Sequence, residues 1–148
     1  MTTRASNALL RKILTETKTI ALVGASNKPH RDSNGVMRFL QSKGYRVIPV
    51  NPGLAGQTLN GELVYGSLKD IPQGKVGRID MVDIFRNSAD AAAPALDAIE
   101  IGARFVWMQL GVVNEPAAAK VREAGLEIVM DHCPAIEYPR LMGGSTKH

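Results

Sequence analysis

The chain is poor in the residues that carry most covalent and metal chemistry. It has one cysteine, Cys133, in 148 residues, which excludes an internal disulfide and any multi-cysteine metal site. Its three histidines, His30, His132 and His148, have no partner at metal or triad spacing. Glu137 has no second carboxylate close in sequence, so paired-acid chemistry has no candidate. Aromatic residues are only 5% and no dense basic run accompanies them, which argues against a base-stacking surface for nucleic acid. No apolar run approaches the ~18–20 residues of a membrane span. The opening residues 1–7 lead into no apolar signal core. No catalytic or metal-ligating residue is assigned, no membrane or nucleic-acid partner is expected, and the expected compartment is the cytoplasm.

What remains is an ordinary globular composition, 45% hydrophobic and 22% charged. The length suits a single domain, expected over residues 1–142, with a flexible C-terminal tail at 143–148. The net charge of +4 is unevenly spread. Residues 1–46 hold nine Lys/Arg against two Asp/Glu, and residues 47–148 hold nine against twelve. A basic first third suits an anionic ligand, or it is simply a solvated helix surface.

Along the chain, helix-like and strand-like stretches alternate. Leu9, Leu10, Ile13 and Leu14 recur at helical spacing, so residues 6–16 read as an amphipathic helix with Ser6 as N-cap. Apolar runs at 19–23, 46–50, 81–85, 105–110 and 127–130 read as buried strands, and a shorter one is expected near 63–65. Pro49 makes the run at 46–50 unusual, because it lacks an N–H. Between the strands, a helix capped by Ser33 or Asn34 ends at Gly44, and a short helix lies around 68–71. A third carries Pro94 in its first turn, and a fourth runs from the Asn114 cap to Gly125. Repeated β-α-β units with short connections predict an α/β fold: a Rossmann-like, doubly wound parallel sheet of about five main strands with helices on both faces.

In such a sheet, ligands bind beyond the carboxyl ends of the strands where the strand order reverses. For an order 3-2-1-4-5 that place lies between the strands at 19–23 and 81–85. The first loop there runs Gly24-Ala25-Ser26-Asn27-Lys28-Pro29-His30-Arg31-Asp32-Ser33-Asn34-Gly35. Gly24 permits a tight turn and close approach of a ligand, and the next helix N-terminus attracts phosphate. Ser26, Ser33 and Asn34 can add hydrogen bonds, and Lys28 and Arg31 can add charge. The second strand ends at Val50-Asn51-Pro52. A nicotinamide enzyme usually carries Asp or Glu at that point for the adenosine ribose, and none is present. Pro52 is either a turn proline or an apolar edge for an adenine ring. Phe85-Arg86 ends the next strand, where Arg86 is a phosphate contact or a solvated residue. Gln109 and Gly111 close the one after. Asp83, inside an apolar strand, needs partners, and is expected to hold loop backbone N–H groups. Cys133 is a semi-buried thiol near a strand end.

The ordered set of these motifs resembles a known family. Ile20-Ala21-Leu22-Val23-Gly24-Ala25-Ser26, then 44–52 ending in Asn51-Pro52, 80–86 ending in Phe85-Arg86, and 107–115 resemble the small bacterial CoA-binding proteins. Asp131-His132-Cys133 with Ile136-Glu137 closes a match covering about residues 9–141. The fold of that family is similar to the CoA-binding N-terminal domain of the succinyl-CoA synthetase alpha subunit. The resemblance implies coenzyme A or acyl-CoA as the ligand. It places Gly24, Ala25 and Ser26 against the ADP pyrophosphate, Asn51 and Pro52 near the adenosine, Phe85 and Arg86 across the crevice, and Gln109 and Gly111 near the pantetheine path. His132, Pro134, Tyr138 and Pro139 depart from the family's usual ending, so no role is carried over to that segment. The synthetase's second domain, with its phosphorylated histidine, has no counterpart in this length, so ligase activity is not expected. The leading expectation is a standalone CoA-binding protein without complete catalytic machinery. The alternatives are an NAD(P)-binding oxidoreductase or redox sensor, a regulatory subunit that reports CoA occupancy, and a thiol partner for CoA through Cys133.

Overall fold

The computed structural model describes residues 5–143. Of the expected tail at 143–148, residues 144–148 lie outside the described residues. The chain opens with α1 (Asn7–Glu16), β1 (Thr19–Val23), α2 (Asp32–Ser42) and β2 (Arg46–Val50). A small excursion follows: a 3-10 turn (Pro52–Leu54), the antiparallel pair β3 (Thr58–Leu59) and β4 (Glu62–Leu63), a second 3-10 turn (Leu68–Asp70), and α3 (Gln73–Val76). The regular alternation then resumes with β5 (Met81–Ile84), α4 (Ala92–Glu100), β6 (Phe105–Met108), α5 (Glu115–Glu123), β7 (Glu127–Val129) and α6 (Pro134–Met142).

Five strands form one parallel sheet in the order β2-β1-β5-β6-β7. The chain winds outward from β1 in both directions, so the reversal lies between β1 and β5, as the sequence predicts. The expected strand near 63–65 is split: Leu63 ends β4, and Tyr65 forms a single parallel bridge with Val50. Pro49 is tolerated because β2 is the outer strand of this sheet, where a missing N–H is affordable.

The sheet is covered on both faces, which explains its nearly all-apolar strands. Ile20, Leu22, Val47, Phe105 and Trp107 pack with α1, α2 and α6 through Leu10, Ile13, Met37, Leu40 and Tyr138. Ala21, Ile48, Val82, Ile84 and Val106 pack on the other face with Ala95 and Ala98 of α4 and Ala117, Ala118 and Val121 of α5. Those small residues let α4 and α5 lie close to the strands. Among the described residues, no helix is long and apolar enough to cross a membrane.

Local signals set most helix ends. The Ser6 side chain accepts the N–H of Leu9 at the start of α1, and the Asn114 side chain accepts that of Ala117 at the start of α5. The expected Ser33 or Asn34 cap of α2 is corrected. The N-cap is Arg31, with extended backbone (φ −77°, ψ 141°) and no side-chain cap, and Ser33 and Asn34 lie buried in the first turn. Asn34 is drawn inward because its Nδ2 donates to the Ser26 carbonyl (2.8 Å), an option a side chain at the cap would forgo. β6 also stops at Met108, so Gln109 and Leu110 belong to the loop.

Helix α6 is an addition to the sequence reading. Its signals are ordinary ones: Pro134 in the first turn, Glu137 near the start, Arg140 near the end and left-handed Gly143 after it. Pro139 inside the helix obscures them. Buried Tyr138 anchors the helix edge-on to Phe39 and Tyr45, with ring centroids 6.0 and 6.1 Å away.

Candidate functional site

The geometry at the sheet reversal begins where β1 stops. Gly24 has a φ of +89°, and a Cβ there would stand 2.2 Å from the Phe85 carbonyl oxygen. Backbone conformation and the close approach of the β5 end both require glycine. Gly24 and Ala25 donate their N–H groups to the Val50 carbonyl (3.0 and 3.2 Å), binding the turn to the end of β2. Asn51 completes the stitch: its Nδ2 donates to the Ala25 carbonyl (2.7 Å) and its Oδ1 accepts the Gly53 N–H (2.8 Å). Ser26 Oγ accepts the Lys28 N–H (3.1 Å). The loop is therefore fixed by its own backbone and side chains.

Two adjoining cavities open here. A crevice of about 520 Å³ is bordered by Gly24, Ala25, Ser26, Ser33 and Asn51, with Lys28 at its rim. A cleft of about 630 Å³ is bordered by Arg86, Gln109, Leu110, Val112, Cys133 and Ile136. Arg31, Asp32 and Phe85 border both, so the two adjoin. Each falls in the ~300–1,000 Å³ range of small-molecule sites. The first turn of α2 borders the crevice, and no side chain caps it. Helix N-terminal N–H groups without internal partners suit an anion, and Lys28 and Arg31 add positive charge.

Three expected site residues lie off these walls. Asn34 is buried beneath the loop. Pro52 borders a smaller recess of about 130 Å³ with Val23, Val50, Leu68 and Arg86, under the α4 side of the sheet. Gly111 sits in a turn, its N–H donated to Asp131 Oδ1 (2.7 Å) and its carbonyl accepting from Ser88 Oγ (3.3 Å). Arg86 reaches both the cleft and the recess, and its exposed guanidinium lies 4.0 Å from Asp90.

A buried polar pair lies beside the cleft, which Gln109 lines. Asp83 is fully buried, flanked in register by Leu22 of β1 and Trp107 of β6. The loop backbone does not hold it, contrary to expectation. Among the described residues its partner is the Gln109 side chain, which, with its amide nitrogen turned to the carboxylate, donates to Oδ1 at 2.9 Å and Oδ2 at 3.3 Å. Burial pushes the Asp83 carboxyl well above the usual carboxylate range. His132 is also taken up structurally. Its Nδ1 lies 2.8 Å from the Met130 carbonyl, and its own carbonyl accepts the Trp107 Nε1–H (2.9 Å). Buried Glu137 pairs with Arg140 at 2.6 Å. Among the described residues, no group of three or more His, Cys, Asp or Glu comes together as metal ligands do.

The CoA binding domain family matches residues 18–139 of the chain, the stretch that builds every wall of both cavities. The chain belongs to that family. Relatives resemble it over nearly their whole lengths. It is 38% identical over 128 residues to the uncharacterized protein YneT of Bacillus subtilis (strain 168), covering 86% of this chain and 90% of that protein. A hypothetical protein from Pyrococcus horikoshii OT3 superposes with a TM-score of 0.87 at 40% identity, covering 97% of this chain and 99% of that one. At 22% identity the fold alone is shared with the apo form of a dinucleotide-forming acetyl-coenzyme A synthetase from Ca. Korarchaeum cryptofilum. There the TM-score is 0.65, over 80% of this chain and 27% of the synthetase.

As a CoA-binding domain, the chain builds its cleft partly from residues that motif reading passed over. Leu110, Val112, Ala135 and Ile136 line it without any polar signature. Leu110 is hidden in the apolar run at 105–110 that reads as a strand, whereas Ile136 had one signal available: a large apolar side chain that no strand or helix pattern claims.

Proposed function

We propose that the chain is a single-domain protein that binds coenzyme A across the crevice and the cleft and carries no complete catalytic machinery. The diphosphate lies against the Gly24–Ser26 turn and the first turn of α2, with Lys28 and Arg31 as countercharges. The adenosine lies toward Asn51 and the 3-10 turn that Pro52 begins. The pantetheine arm passes Phe85 into the cleft beside Gln109, with Arg86 at its mouth. The observation that carries this reading is the crevice itself, where a glycine turn faces an uncapped helix start at the sheet reversal of a CoA-binding family member.

A nicotinamide dinucleotide fits less well. Asn51 occupies the position of the ribose-binding carboxylate, and both ends of its side chain are already engaged by Ala25 and Gly53. Calorimetric titration of the ligand-stripped protein with CoA and with NAD in one buffer tests the reading. Micromolar CoA affinity, about −8 kcal/mol, is expected, with no heat from NAD. Arg31→Ala and Ser26→Ala should each weaken CoA binding. Binding of NAD but not CoA, or unchanged CoA affinity in both variants, overturns it.

A further inference from the structure

The two sides of the cleft differ in chemistry. Charge borders the cleft at Arg31, Asp32 and Arg86, whereas the wall formed by Gln109, Leu110, Val112 and the start of α6 presents no charged side chain to it. There Leu110 is 56% exposed and Ile136 51%, and Leu63 on distant β4 is the one other large hydrophobic so exposed among the described residues. Isolated exposed leucines are common, but two on one cavity wall that continues inward to buried Val112 and Cys133 form an apolar lining. Glu137, the acid of that helix turn, pairs with Arg140 and does not border the cleft.

We propose that the cleft takes a CoA thioester with an uncharged, apolar acyl group, its chain laid on Leu110, Val112 and Ile136, in preference to free CoA or a dicarboxylic acyl-CoA. This rests on the CoA reading of the crevice. An acyl group is the occupant because the cleft adjoins the crevice at Phe85, and the far end of a CoA bound in the crevice is the thiol that carries it. A carboxylate-terminated acyl group laid on that wall would lose its hydration against leucine and isoleucine, and the cations that border the cleft, Arg31 and Arg86, are not part of that wall.

Butyryl- and succinyl-CoA have acyl chains of equal length and differ at the terminus, so their comparison isolates the charge. Titration should show butyryl-CoA binding roughly 15-fold tighter than acetyl-CoA, at ~0.8 kcal/mol for each of two buried methylenes. Succinyl-CoA should gain nothing over acetyl-CoA. In Leu110→Ser and Ile136→Ser the butyryl-to-acetyl ratio should fall toward one. Thermal melts verify that both exposed-site variants fold. Equal affinity for butyryl- and succinyl-CoA, no gain from the longer chain, or an unchanged ratio in both variants overturns the proposal while leaving CoA binding intact. Failure of all CoA species to bind removes the reading beneath it instead. A dimer in light scattering that Ile136→Ser dissociates assigns the wall to a second copy of the chain, and also overturns it.

Discussion

Replacing Gly24 by alanine separates two costs that one glycine conceals. The backbone there has a φ of +89°, where an L side chain costs roughly 1–2 kcal/mol. The added Cβ also stands 2.2 Å from the Phe85 carbonyl oxygen. That oxygen is main chain and cannot swing aside as a side chain would, so the ends of β1 and β5 must part. Overpacking of this kind costs about 1–3 kcal/mol more. Gly125 is the internal control: its φ is +90° and nothing lies within 4 Å of its added Cβ. Gly125→Ala should therefore lose only the conformational part, about 1–2 kcal/mol. Gly24→Ala should lose roughly 2–5 kcal/mol in total. For a chain of this size each kcal/mol moves Tm by about 2–4 °C, so the two variants should separate clearly in thermal melts and urea midpoints. Gly24→Ala should also weaken CoA binding, because the parted turn is the proposed diphosphate contact. Equal stability losses in the two variants would refute the steric argument, and no loss in either would refute the backbone one.

Three further outcomes follow from buried polar groups. Asp83 titrates above its unfolded value in the native state, so its contribution to stability is full below the ordinary carboxylate range and is lost as pH rises through the raised value. Asp83→Asn removes this loss, and urea midpoints should show the variant gaining on the parent as pH rises above the ordinary carboxylate range. A gap that does not change with pH would contradict it. The Thr17 hydroxyl is fully buried and has no hydrogen-bond partner among the described residues. Thr17→Val should consequently be neutral or stabilising by about 1 kcal/mol in denaturant titration, and a clear destabilisation would show the hydroxyl to be satisfied. Asn51→Ala breaks both hydrogen bonds that tie Ala25 to Gly53. It should cost about 1–3 kcal/mol and weaken CoA binding in calorimetry, whereas unchanged affinity would separate the stitch from the ligand site.

The parallel α/β architecture was legible because its causes are local. Strands covered on both faces must be largely apolar, and β1, β2 and β5 are, apart from Thr19, Arg46 and Asp83. Ser6, Asn114, Gly44 and Gly125 mark helix ends through the conformations and hydrogen bonds their own side chains allow. The sheet reversal and its loops then follow from winding rules, which is why Gly24, Ser26 and Asn51 could be singled out in advance and meet around one crevice. Strand ends were less legible, as at Gln109, because an apolar run does not show where its ladder partner stops.

The sequence by itself determined the fold class, the place of the reversal and the absence of a carboxylate at the end of β2. Each depends on residue type and order along the chain. The tertiary structure decided what lies on the walls. It set α6 across the cleft, joined Asp83 to Gln109, turned Asn34 under the loop and put Pro52 on the other side of the sheet. These depend on contacts between residues far apart in the chain. Ile136 reads as one more apolar residue until Tyr138, packed against Phe39 and Tyr45, fixes the helix that brings it to the same cleft as Leu110.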